Sequence, residues 1–270
     1  MLDLSIIIVS FNAREDLARC LESLHTTPPA CSHEVIVVDN ASADGSADLA
    51  RRWAGVTVIE TGANLGFARG NNVGIRASSG EQLLLLNNDT IVPPHAVDRL
   101  LAELALDSTV AVVGPRLVDD RGRVELSFGS MIGPLNELRQ KILERGHERG
   151  VGFISAHVER LTRQPGCPDW VTGACLLVRR SDAEAVGLLD ERYFMYTEDV
   201  DFCAAIRSRG RRIRFTPHVT VVHRRGRSVA AAREATRAAY RRSQIAFYEK
   251  HHPRWVTLLR AYLRLRGADA

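Results

Sequence analysis

Cysteine is scarce in this chain. There are five in 270 residues, Cys20, Cys31, Cys167, Cys175 and Cys203, with no Cys-x-x-Cys pair. An odd, scattered set argues against a disulfide framework or a zinc site and fits a reducing cytosol. No apolar run approaches the roughly 20 residues needed to span a bilayer. The opening run LSIIIVSF is strand-like, too short for the core of a signal peptide and without a basic leader. Internal repeats and low-complexity tracts are absent. The G-x-G-x-x-G and P-loop patterns are absent too, so a Rossmann dinucleotide site is not supported. What remains has the apolar (45%) and charged (25%) fractions of an ordinary soluble globular protein. Its length suits one large α/β domain or two small ones.

The net charge of +4 conceals an asymmetry. From Ala204 onward there are 17 Lys and Arg against 3 Asp and Glu, whereas the residues before it carry 19 basic and 29 acidic side chains. The basicity is therefore C-terminal. It reads equally well as a solvated helical surface or as attraction to anionic lipid or phosphate.

Apolar runs at 4–10, 34–39, 56–60, 82–87 and 110–114 predict strands. Helical spacing at 14–24, 43–53, 67–77 and 95–106 fills the gaps, with Ser42, Asp44 and Pro94 where helix starts are expected. Such alternation predicts an α/β fold, a mostly parallel central sheet with helices on both faces. Beyond it, 121–128 reads as an edge strand, 134–146 as a helix and 147–168 as a mobile loop over the site. Strand character returns at 170–179, a helix follows at 197–209, and two short strands fall at 212–216 and 219–222. The stretches 230–250 and 253–266 are helical. In 253–266, Trp255, Leu258, Leu259, Tyr262 and Leu265 share a stripe with basic neighbours. That pattern suits an interfacial helix on anionic membrane, or packing on the protein's own domain or a second subunit.

Polar clusters fall at the carboxyl ends of consecutive strands. VIVVDNASADGS ends in Asp39, able to accept hydrogen bonds from a base or ribose. NLGFARGNNVG offers glycines for close backbone approach and Arg69 for phosphate oxygens. LLLLNNDT ends in Asp89, suited to a hard cation that keeps water and phosphate ligands. Each alone is explained as well by turn or cap chemistry; together they point to the ligand-binding crevice of an open α/β sheet. A fourth cluster, TEDVD, crowds Glu198, Asp199 and Asp201 at a helix start. Macrodipole complementarity accounts for one or two of them, and a base with a tuned pKa accounts for the repulsion of three. His223 ends the short strand TVVH.

The ordered set SIIIVSFN, VVDNASADGS, NLGFARGNNVG, LLLNNDT, WVTGACLLVRR, GLLDERYFMYTEDVDFC and VVH resembles family 2 inverting glycosyltransferases of the GT-A fold. Within them it is most similar to bacterial rhamnosyltransferase-type enzymes of cell-wall and surface polysaccharide synthesis. The match runs from Leu4 to His223, with a weaker echo at Ser243, Gln244 and Tyr248 to His251. The resemblance implies a GT-A catalytic domain over 1–228, with 1–118 the nucleotide-binding half and 119–228 the acceptor half. A basic amphipathic helical extension follows over 229–270.

The resemblance also implies roles. Ser10, Asn12, Asp39, Asn64, Gly66, Arg69 and Asn88 would bind the donor, Asp39 reading the pyrimidine and Arg69 lying near the diphosphate. Asp89 matches the last carboxylate of the family's DxD motif and would hold Mg2+ or Mn2+ with His223. Asn87 replaces the motif's first carboxylate. Trp170, Thr172, Gly173 and Glu198 would contact the acceptor side, and Asp199 would be the catalytic base. The donor would be a dTDP- or UDP-sugar, with dTDP-rhamnose preferred. The acceptor would be a glycan or a polyprenyl-diphosphate-linked sugar, met in the cytoplasm or at the inner face of the plasma membrane. Nucleic acid is not expected as a partner, and a homodimer is left open. Two rival readings are a sugar-1-phosphate nucleotidyltransferase and a non-catalytic nucleotide-sugar-binding partner of a glycan-assembly complex. The first needs a glycine-rich basic loop that SFNAREDLARC does not supply.

Overall fold

Leu4, Ile6 and Ile8 of the first strand point to one side and Ile7 to the other, and all are fully buried. A strand with both faces covered needs helices on both sides of its sheet. The computed structural model, which describes residues 2–224 and 233–265 (side chains of 233–236 excepted), has that arrangement. Its main sheet contains β1 (Leu4–Ser10), β2 (His33–Asp39), β3 (Val56–Glu60), β4 (Gln82–Asn87), β5 (Thr90–Ile91), β6 (Val110–Val118), β9 (Cys175–Arg179) and β10 (Arg212–His223). They lie in the order β3-β2-β1-β4-β9-β6-β10-β5. On one face α1 (Arg14–Thr26), α2 (Ser46–Ala50) and α4 (Ala96–Ala105) pack through Leu17, Leu21, Ala50, Val97 and Leu100. On the other, α3 (Gly66–Ala77), α7 (Arg180–Ala185) and α8 (Glu198–Ser208) pack through Ala68, Ile75, Ala183, Phe202 and Ile206.

Strands β3, β2, β1 and β4 run parallel. The next strand, β9, is antiparallel to both β4 and β6. Its reversed direction sets the start of β9 beside the end of β4, so that Cys175 pairs with Leu86 and the Asn87 N–H donates to the Ala174 carbonyl at 2.9 Å. The short β5 pairs antiparallel with the end of β10, matching Thr90 to His223. A two-stranded sheet, β7 (Phe128–Gly129) with β8 (Trp170–Val171), stands beside them.

Several local expectations change. The strand expected at 170–179 is two, β8 and β9, in different sheets, because Thr172 to Ala174 form a turn. The two strands expected at 212–216 and 219–222 are one, β10, with a register shift between Thr216 and Thr220 where Pro217 has no N–H to give. Of residues 121–128, expected as an edge strand, only Phe128 is in one, at the start of β7. Asp119 Oδ1 accepts the backbone N–H groups of Arg121 and Arg123, closing a turn that leaves one bridge, Val118 to Val124. The loop expected over 147–168 contains α6 (Gly152–Leu161), whose Val158 is buried with Val118 and Val124 behind α5 (Pro134–Glu148). Its Ile154-Val158 spacing is helical, and the surrounding glycines are connectors. Helix α2 is shorter than 43–53; Asp44 sits ahead of it, accepting the N–H of Ser46 and, with its other oxygen, that of Arg14.

The C-terminal helices are docked on the α/β body that precedes them. Helix α9 (Arg233–His251) places Phe247 and Tyr248 against Tyr193 and Val200. Ser243 Oγ donates to Met195 O, and Tyr248 Oη and Gln244 donate to Glu137. Lys250 and His251 meet the buried Asp201 at 2.8 and 2.6 Å. Asp201 is thus a structural acid, and the echo at 243–251 in the sequence marks contact residues. Across Trp255, which ends a 3-10 turn, and α10 (Val256–Leu265) the apolar stripe divides: Leu259 joins Leu263 in the core, while Trp255, Leu258, Tyr262 and Leu265 are exposed. The expected boundary at 228 and helical residues 230–232 and 266 lie outside the described residues.

Gly66 opens α3 at φ +80°, and a Cβ there would stand 2.2 Å from the Phe194 carbonyl oxygen. Gly62, at φ +72°, has nothing within 4 Å of the same atom. Gly62→Ala is expected to cost about 1 kcal/mol of backbone strain, and Gly66→Ala about 3 kcal/mol or more because backbone must also shift. Equal losses in urea melts would contradict the close approach.

Candidate active site

The turn Asn87-Asn88-Asp89 is the first corner of the site. Strand β4 delivers it to the sheet's carboxyl edge, and β5 carries the chain back along β10. The Arg224 N–H donates to the Asp89 carbonyl at 2.9 Å, so Asp89 and His223 are brought together by main-chain pairing. Asp89 Oδ1 lies 3.2 Å from His223 Nε2 and is buried without a well-aligned donor. The Asn87 amide reaches the same ring nitrogen, also at 3.2 Å. His223 Nδ1 faces Glu125 Oε2 at 3.0 Å. Burial works against an imidazolium here, but the Asp89 and Glu125 carboxylates beside the ring outweigh it and push His223 up to about 9.

This corner fits a divalent cation. An orphaned carboxylate oxygen and a ring nitrogen converge on one point, where a cation can take the place of the shared proton. Among the described residues no group of three acidic, imidazole or thiol side chains is poised as a complete cation site. Two protein ligands are what a cation needs if diphosphate oxygens and water supply the rest.

The second corner is the start of α8. Asp199 Oδ2 accepts the Gly173 N–H at 2.9 Å, Oδ1 accepts the Val200 N–H at 2.8 Å, and the Thr172 hydroxyl also bonds to it. Burial raises its pKa, and those three donors hold the rise down. Glu198 is buried with Oε2 unpartnered; burial first, and then the charge of Asp199, raise its pKa well above the ordinary value. Two adjacent carboxyls in unequal surroundings separate: both are raised, and Glu198, which lacks the donors that Asp199 has, is raised further. The turn Thr172-Gly173-Ala174 joins the corners, since Gly173 binds Asp199 and Ala174 binds Asn87.

The third region lies at the ends of β1 and β2. Asp39 is buried, with Oδ2 accepting the Ser42 N–H at 2.9 Å and Oδ1 without a partner. Asn88 Nδ2 donates to the buried Ser10 Oγ at 3.3 Å, tying this region to the Asp89 turn. Asn12, at φ 48°, accepts the Ala43 N–H, and Asn64 Oδ1 accepts the Gly66 N–H. Both side-chain oxygens therefore brace loops. Arg69 is exposed and pairs with Glu191 at 3.6 Å, beside the Arg76–Glu191 pair. Trp170 donates through Nε1 to Ser130 O, so its ring is pinned across β7 and β8.

Two contributors carry no signal of their own in the sequence. Asn40, buried behind Asp39, donates through Nδ2 to Gly66 O at 3.0 Å and joins the β2 and α3 loops. Glu125 lies in a segment that reads as an edge strand; only its contact with His223 reveals it.

A model of glycosyl transferase family 2 matches residues 5–165. The chain is 31% identical over 284 aligned positions to the N-acetylglucosaminyl-diphospho-decaprenol L-rhamnosyltransferase of Mycobacterium tuberculosis, covering 99% of this chain and 90% of that protein. It is 26% identical over 225 positions to the rhamnosyltransferase WbbL of Escherichia coli, with 81% and 82% covered. Among solved structures, the mannosyltransferase PcManGT of Pyrobaculum calidifontis in complex with GDP-Man and Mn2+ superposes with a TM-score of 0.65. Its identity is 19%, with 97% of this chain and 69% of that one covered.

A direct check on the second corner is carboxyl 13C NMR of the free protein. Glu198 is expected to take up its proton at a higher pH than Asp199. Thr172→Val, which removes one donor to the carboxylate, should move the Asp199 midpoint upward; a downward move would contradict the hydrogen-bond assignment.

Proposed function

The chain belongs to glycosyl transferase family 2, and we propose that it moves rhamnose from dTDP-rhamnose, with inversion, to a hydroxyl of a polyprenyl-diphosphate-linked glycan, using Mn2+ or Mg2+. The observation that carries this reading is the turn 172–174, which bonds to the Asp89 turn on one side and to Asp199 on the other. The Asp89–His223 pair and the Asp199 carboxylate are thereby tied to the two sides of one short turn. Similarity to two rhamnosyltransferases, one named for a decaprenol-linked substrate, supports the choice of sugar and acceptor.

Roles follow from chemistry. The free Oδ1 of Asp39 suits an N–H of a pyrimidine base. Ser10 and Asn88 line the path from base to diphosphate. Asp89 and His223 would hold the cation, which when bound neutralises charge developing on the leaving diphosphate. The imidazole ligand favours Mn2+ over Mg2+. Asp199 removes the acceptor hydroxyl's proton as that oxygen attacks the anomeric carbon. Glu198 orients the acceptor or steadies Asp199, and Trp170 walls the acceptor side. Arg69 would reach phosphate only by leaving Glu191.

The exposed Trp255, Leu258, Tyr262 and Leu265, with Arg254, Arg260 and Arg264 among them, suit contact with the anionic bilayer that holds such an acceptor. Among the described residues no helix is long and apolar enough to cross a membrane.

Asp199→Asn should leave the affinity for dTDP-rhamnose within about twofold while lowering kcat by roughly 10²- to 10⁴-fold. Donor binding by calorimetry and single-turnover assays decide it, and an unchanged kcat removes Asp199 as base. The raised pKa of Asp199 places the acid limb of kcat/KM above the ordinary aspartate value of about 3.9. Activity is expected to fall as pH drops through that limb, because the protonated acid cannot act as base. In a thermal-shift panel of nucleotide sugars, dTDP-rhamnose with Mn2+ should raise Tm more than UDP- or GDP-sugars do. Stabilisation by nucleotide sugars without any turnover would favour the non-catalytic binding partner instead.

A further inference from the structure

We propose that Glu125 is the positioning residue that makes His223 a cation ligand, an inference that rests on the cation reading above. A histidine can offer only one ring nitrogen to a metal, and which one is set by the hydrogen bond the other makes. Here Nδ1 points to Glu125 Oε2 at 3.0 Å, and both side chains are buried. Nδ1–H donates to the carboxylate, and Nε2 is left facing Asp89 Oδ1. The ring cannot turn over without losing the Glu125 contact.

A carboxylate fixes another group only if it is itself fixed, and the segment around Glu125 is held along its length. The Glu125 N–H donates to Leu117 O, and its carbonyl accepts the Ser127 N–H. Val124 O accepts from His147 Nε2 of α5, and Val124 is buried with Val158 of α6. Helices α5 and α6 therefore brace the segment that carries Glu125. Ser127 O, two residues on, accepts the Thr172 N–H, so the segment that aims His223 also supports the turn that binds Asp199.

The test measures Mn2+ affinity of the full chain in the presence of dTDP, by EPR of free Mn2+. Glu125→Ala should weaken Mn2+ binding by about 10- to 100-fold, with dTDP affinity in the absence of metal unchanged. Glu125→Gln keeps the volume and one acceptor oxygen, so it should weaken binding less, by at least roughly threefold, and covers the case in which the alanine variant does not fold. A second readout is 15N NMR of the His223 ring with Mg2+ and dTDP. The parent should show one tautomer with the proton on Nδ1, and Glu125→Gln a mixture. Parent-like Mn2+ affinity and a single tautomer in the glutamine variant would overturn the proposal, while weak Mn2+ binding by Asp89→Ala leaves the cation reading standing. If Asp89→Ala also binds Mn2+ as the parent does, the cation reading fails and this inference falls with it.

Discussion

The site depends on main-chain hydrogen bonds that grip the turn after β4 from two directions. Asn87 N–H binds Ala174 O from the β9 side, and Asp89 O receives Arg224 N–H from the β10 side. Backbone pairing of this kind is set by strand register, not by flexible side chains, so it holds Asp89 against His223 in one geometry. Reversal of β9 between parallel neighbours is what makes the first grip available. A parallel strand there would have put its starting residues at the opposite edge of the sheet.

Across the turn 172–174 from Asn87 the protein tolerates a costly arrangement. Glu198 and Asp199 are adjacent acids in a buried place, and Glu198 Oε2 has no partner. A buried polar atom without a hydrogen bond destabilises by about 1–3 kcal/mol. Such an atom beside a carboxylate fed by three donors is the pattern expected where surroundings have been tuned for proton transfer rather than for stability. Asp201, in the same helical turn, differs: its charge is satisfied by Lys250 and His251, and it anchors α9. Three acids within four residues thus divide into a carboxylate held by backbone donors, a buried acid with an unpartnered oxygen, and an anchor.

The anchor makes the C-terminal helices part of the α/β body. Glu137 of α5 receives Gln244 and Tyr248, and Leu259 and Leu263 share a cluster with Tyr193 and Val200 from the segment leading into the Glu198-Asp199 turn. Exposed apolar residues of α10 are thereby carried on a helix whose inner face packs on Tyr193 and Val200, beside Glu198 and Asp199. The C-terminal excess of basic residues does not act as a detached tail, at least over the described residues.

Much of this was legible in the chain itself. The continuous apolar runs LSIIIVS and QLLLLN, alternating with helical spacing, determined a sheet covered on both faces, and residues such as Asp39, Asp89 and Asp199 stood out at strand or helix ends. These signals are local, because side-chain periodicity and capping act over a few residues. What only the tertiary structure decided was relational. The direction of β9, the break at Thr172 to Ala174, the role of Glu125 and the pairing of Arg69 with Glu191 depend on contacts between residues far apart in sequence. The stripe in α10 shows the same limit: its spacing marked one apolar face, but which of its residues turned inward depended on where Phe247 and Tyr193 offered a surface to fill.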